Sequence, residues 1–248
     1  MSELFTVRDE RFYNIDGVYY PRCTFILSVY PKGAGYEQWL KAQGDDADSI
    51  RDRAADAGTR VHDACEQLVA GVALHHLAYQ PGEWSKINSF VTWYTQFKPD
   101  RYVGSEVTVW SKTHGYAGTA DAIIEKDGKR YLIDYKTGKG LYPTYWLQLA
   151  AYKQAYEELG YGRIDGVGIL HLGSRHKSVS VKKSKKGQVV YTGPGYEYIV
   201  ETAPDVMDLS FARFKSTKDI FDNEYPALKP VELSYPTQLQ ILKDNLIT

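Results

Sequence analysis

The sequence predicts an α/β fold, a central mixed β-sheet flanked by helices in the order α-β-β-β-α-β, with a helical N-terminal elaboration. Three observations carry this expectation. "SEVTVWS", "GYAGTADAIIEK" and "KRYLIDYK" are three successive strand-like runs separated by turn signals. "PTYWLQLAAYKQAYEELG" then opens on proline, is rich in helix formers and closes on glycine. The apolar run "IDGVGILHLG" follows, and a strand reached through a helical crossover normally lies parallel to the strand before it.

The elements read in order as follows. "FYNIDGVYYPRCTFILSVYP" suggests a hairpin around Asp16-Gly17, then an extended segment closed by Pro31. "GYEQWLKAQG" is helical up to Gly44. "DDADSIRDRAADAGTRVHDACEQLVAG" opens with aspartates that suit a positive helix terminus and closes at Gly71, with Gly58 a weak point inside. From Glu83 to Phe97, the residues Ile87, Phe90, Val91, Tyr94 and Phe97 form one helical stripe, which Pro99 stops. The three strands make a meander whose second turn is Asp127-Gly128. "SVSVKKSKKGQVVYTGPGYEYIVE" gives a hairpin with a basic tip and a further strand, and "PDVMDLSFARFKSTKDIFDNE" a closing helix. The tail after Pro226 is expected to be irregular.

At 248 residues, one domain spanning 1–248 is expected. It comprises a hairpin and helical elaboration (1–57), a core (58–175), and a basic hairpin, strand and C-terminal helix (176–248). Thirty basic against 31 acidic residues give a net charge of -1, so any nucleic-acid surface must be a local patch. The two cysteines, Cys23 and Cys65, suggest neither a disulfide framework nor a structural zinc site, which fits a reducing cytoplasm. No signal-peptide pattern and no run of eighteen apolar residues is present, so export and membrane spanning are unsupported.

Chemistry concentrates on "GTADAIIEKDGKRYLIDYKTGKG". Strand alternation puts Leu132, Asp134 and Lys136 on one face. A turn at Asp127-Gly128 pairs positions that sum to about 255, which sets Asp121 opposite Asp134. Two close carboxylates repel, and a hard divalent cation such as Mg or Mn offsets that repulsion while keeping waters for a phosphate substrate. Beside them Lys136 can orient a nucleophile or stabilise developing charge. His62 and Glu66 share a helix face and could serve a metal or merely a hydrogen bond, whereas Glu106 reads as a solvated residue of the first strand. Lys182, Lys183, Lys185 and Lys186 form a compact positive tip suited to phosphate contact, and Tyr142, Tyr145 and Trp146 could stack unpaired bases.

"GTAD", "IDYK" and "QLAAY" together resemble the signature of the PD-(D/E)XK nucleases in their RecB-like form, and "GTRVHDACE" resembles that branch's helical motif. The opening "YYPRCTFILSVYP" and "WLKAQG" are similar to exonucleases of phages and of mitochondrial genome maintenance. The resemblance implies a restriction-endonuclease-like core in which His62, Asp121, Asp134 and the backbone carbonyl of Tyr135 hold one or two Mg or Mn ions. It makes Lys136 the catalytic lysine and sets Gln148 and Tyr152 near the substrate backbone. It further implies a DNA exonuclease acting on single strands or free ends, in phage-type replication, recombination or repair and in the host cytoplasm if phage-encoded. A structure-specific endonuclease and an inactive DNA-binding module are the alternatives. Two cysteines cannot supply the four-cysteine iron–sulfur cluster of some relatives, so none is expected. No P-loop occurs, so unwinding would fall to a helicase, recombinase or single-strand-binding partner.

Overall fold

The computed structural model describes residues 4–7 and 9–236. Its chain order is β1 (Leu4–Val7), β2 (Phe12–Ile15), β3 (Val18–Pro21), α1 (Cys23–Ile26), α2 (Ala34–Gln43), α3 (Ala47–Val69) and α4 (Pro81–Phe97). Then come β4 (Arg101–Ser111), β5 (Tyr116–Lys126), β6 (Lys129–Lys136), α5 (Pro143–Glu158) and β7 (Gly166–Leu172). β8 (Ser180–Lys183), β9 (Val189–Gly193), β10 (Tyr196–Glu201), α6 (Pro204–Glu224) and β11 (Leu233–Pro236) complete it. Seven strands form one mixed sheet in the order β4-β5-β6-β7-β10-β9-β8. β6 and β7 run parallel across the α5 crossover, and every other neighbouring pair in that sheet is antiparallel. This is the mixed α/β sheet that the sequence predicts.

Local chemistry sets the register. Asp127 and Gly128 both take positive φ, 52° and 71°, the geometry of a two-residue hairpin whose twist matches its strands. Ala122 consequently faces Ile133, and Ile123 faces Leu132. Alternate strand residues then feed two cores. Ala120, Ile123, Leu132, Val167 and Ile169 pack beneath α1, α5 and α6. Ala122, Ile124, Ile133, Tyr135 and Leu170 pack on the other face beneath α3 and α4.

Three expectations are corrected. The segment after the first hairpin is not extended: Cys23–Ile26 is helical and Leu27–Val29 continues as a 3-10 turn. Cys23, Ile26 and Leu27 lie at i, i+3 and i+4, so a helical turn buries all three, overriding the strand preference of their type. On α4 the inward residues include Trp93, while Val91 and Tyr94 stay 41% and 40% exposed. The tail after Pro226 includes a strand, β11, which pairs antiparallel with β1. Residues 237–248, part of the segment expected to be irregular, lie outside the described residues. Among those described, no helix is long and apolar enough to cross a membrane.

Candidate metal centre

The acids lie where β5 and β6 part. Their pairing ends at Ala122 and Ile133, after which β5 follows β4 and β6 follows β7. By antiparallel alternation the Tyr135 amide would next seek the Ala120 carbonyl. Instead it donates to Asp121 Oδ2 at 2.5 Å, so a carboxylate occupies the fork and satisfies the freed amide.

On the α3 side, His62 Nδ1 lies 3.3 Å from Asp121 Oδ1. Val61, Ala64 and Cys65 bury the helix face next to it, and the His62 ring meets Tyr135 edge-on at 5.7 Å. Gly58 lets α3 close onto the end of β6, because an added Cβ would stand 3.1 Å from Thr137 Oγ1. On the α5 side, Gln148 Nε2 donates to Asp134 Oδ1 at 3.0 Å and to the Tyr152 hydroxyl at 3.1 Å. Lys136 Nζ lies 2.5 Å from Asp134 Oδ2, donates to Gln148 Oε1 at 3.3 Å, and stands 4.4 Å from the centroid of the Tyr145 ring. The lysine is therefore fixed by a carboxylate, an amide oxygen and an aromatic face.

Glu106 is the residue that the sequence reading assigned to solvent. Its side chain is largely exposed, yet its carboxylate, His62 and Asp121 offer ligand atoms all within 4.8 Å of one another. Ser105 faces Ala122 and Val107 faces Ala120, which sets Glu106 across from Asp121. A register shift between Tyr102 and Gly104, and φ of 49° at Glu106 itself, break the alternation by which that strand was read. The available signal was a lone acid in the strand beside Asp121.

Burial pushes the Asp134 carboxyl up to about 6; the Lys136 charge opposes this and the Asp121 charge adds to it. Burial also acts upward on Asp121, but His62, Lys136 and the Tyr135 amide together hold it below the ordinary carboxylate range. Desolvation of the Glu106 carboxyl and then the Asp121 charge push it up to about 7. Burial disfavours the Lys136 cation, yet Asp134 and Asp121 keep its pKa above the ordinary value, so it remains an ammonium.

These donors fit a hard divalent cation. Like-charged carboxylates with an imidazole at coordinating separation are the donor set of Mg or Mn sites. Asp134 falls outside that group of ligand atoms; its Oδ2 is buried 2.5 Å from Lys136 Nζ, without an aligned hydrogen-bond donor.

The remaining expected site residues are placed differently. Tyr152 is only 2% exposed, so it supports Gln148 from beneath and does not reach a substrate backbone. Tyr145 is half-buried over Lys136. Glu66 is exposed and outside the His62 cluster. Lys182 and Lys183 on β8, with Lys185 and Lys186 at its turn, are exposed on the far edge of the sheet. Four strand spacings separate β8 from β6, roughly 19 Å, so the basic tip does not line the acid cluster.

A family model described as the PD-(D/E)XK nuclease superfamily matches residues 34–229. The chain belongs to this superfamily. The matched span takes in α2 to α6, and with them the fork, Lys136 and Glu106. No curated protein matches the chain. As a PD-(D/E)XK nuclease it is a hydrolase acting on nucleic acid, and nucleases of this superfamily use divalent metals. The name describes a Pro-Asp pair followed by an acid-X-Lys triplet; here Asp121 follows Ala120 where the pattern has proline, and Asp134-Tyr135-Lys136 matches the triplet.

Proposed function

We propose that this PD-(D/E)XK protein is a Mg- or Mn-dependent DNA exonuclease of the RecB-like branch, acting on single strands or free ends. The observation that carries the reading is the fork between β5 and β6, which gathers two buried acids and an ammonium whose side chain is 17% exposed, with His62 on Asp121 as in the RecB-like motif. Asp121, Asp134 and His62 would hold the metal, joined by Glu106 and by the Tyr135 carbonyl. When bound, it would supply charge neutralisation and lower the pKa of a water so that this water can lose a proton and attack phosphorus.

The chain's own groups do the rest. Lys136, kept cationic, offers its ammonium to charge that grows on the attacked phosphate or orients the nucleophile. Gln148 holds both Asp134 and Lys136 through its amide, so one residue fixes the spacing between acid and amine. The α5 helix thus positions the site without contacting the reacting atoms.

The test uses end-labelled single-stranded DNA with Mg or Mn. Asp134→Ala and Lys136→Ala should each lose at least about a hundredfold in cleavage rate while remaining folded. A folded variant that cleaves at the parental rate would sink the assignment. A covalently closed single-stranded circle should stay intact, and its cleavage would point to an endonuclease.

A further inference from the structure

A groove of about 460 Å³ opens directly beside Lys136 and Gln148, on the α5 side of the fork. One wall is the α5 start, where Tyr142 is 54% exposed and meets Tyr145 edge-on at 5.5 Å. Tyr30, Pro31 and, on α2, Tyr36 also line the groove. Tyr30, Tyr36, Tyr142 and Tyr145 thus all face into it. Two cations line it: Lys136 over the Tyr145 ring, and Lys32 over the Tyr36 ring at 4.6 Å.

We propose that this groove is a subsite for one unpaired nucleotide of the substrate strand, its base among the tyrosine rings and its phosphate toward Lys32 and Lys136. The inference deepens the nuclease reading and rests on it for the identity of the substrate. Its chemistry is legible by itself. Flat rings stack with any base because every base has a π-face, and flanking ammonium groups complement the phosphates. The groove's volume is that of a small-ligand site, not of a duplex channel. A base held in a double helix cannot insert between side chains, so the groove selects unpaired ends. Among the described residues the grooves lined by Lys139 and Arg175 or by Lys218 and Tyr225 carry no comparable set of rings against a catalytic group.

The test separates binding from cleavage. Fluorescence anisotropy of a labelled ten-nucleotide oligothymidylate with the whole chain, in chelator, measures the subsite without hydrolysis. Tyr142→Ala and Tyr36→Ala should each weaken binding roughly 5- to 150-fold, the loss expected for one base stack. Tyr161→Ala, at the opposite end of α5, should not. A blunt duplex of the same length should compete poorly. Parental affinity in both groove variants overturns the subsite, as does failure of the parent to bind the oligonucleotide. Aromatic-dependent binding by a chain that cleaves nothing with Mg or Mn would retain the subsite and remove the nuclease reading.

Discussion

Asp134 and Asp121 are neighbours in space with opposite titration behaviour, and the cause lies in their partners. His62 and the Tyr135 amide stabilise the charge on Asp121, while burial outweighs Lys136 at Asp134. A single amide side chain, Gln148, joins Asp134 to the amine. Gln148→Ala should therefore lower the cleavage rate roughly 10- to 100-fold, as loss of a ligand-orienting partner does, while leaving the protein folded by circular dichroism. An unchanged rate would show that Lys136 needs no such support. Glu106→Gln should raise, roughly tenfold, the Mn concentration that half-saturates thermal stabilisation, if its carboxylate shares the ion with His62 and Asp121. The pair Asp121 and Asp134 was legible because the Asp127-Gly128 turn fixes a register that a reader can count. Glu106 was not, because a bulge and a left-handed residue defeat counting on β4.

Helices α3 and α4 stand over one face of the sheet, and a buried carboxylate joins them. Glu83 accepts from the Gln80 amide at 2.9 Å to close the α4 capping box, and Arg60 of α3 pairs with the same side chain. Burial acts against the Glu83 charge, but Arg60 and the Gln80 amide outweigh it and hold its pKa below the ordinary value of 4.5. A depressed carboxyl contributes stability above the unfolded-state value and loses it as pH falls through the folded one. Resistance to urea should therefore fall from about pH 5 to pH 3 in the parent, and Glu83→Gln should flatten that dependence. Identical acid limbs would leave the clamp without weight. A second prediction concerns α5: an added Cβ at Gly118 would stand 2.2 Å from Tyr152 Cε1. Gly118→Ala should cost about 1–3 kcal/mol in urea unfolding, as overpacking does, and slow cleavage by moving Tyr152 against Gln148. Helix spans with clear caps were readable from the chain. α1 was not, since four residues of strand-favouring type give no periodicity to read.

Across the whole molecule, a single seven-stranded sheet separates two apolar layers, and the acid site lies where its second and third strands diverge. Alternation of the strands and the α5 crossover were enough to predict a mixed sheet with β7 parallel to β6, but not the places of β8 to β10 in it. The β1–β11 pair was not legible, because contacts between residues such as Leu4 and Pro236 leave no local pattern. The layers should be separable from the chemistry: Phe214→Ala, beneath α6 against Tyr116, should cost about 3–5 kcal/mol of stability without changing cleavage per folded molecule. The central claim is that the fork binds a catalytic cation, and anomalous diffraction from crystals soaked in Mn tests it most directly. The account predicts a peak bonded to Asp121 and shared with His62 and Asp134. Density elsewhere, or none at the fork in crystals of protein that cleaves DNA with Mn, would contradict it.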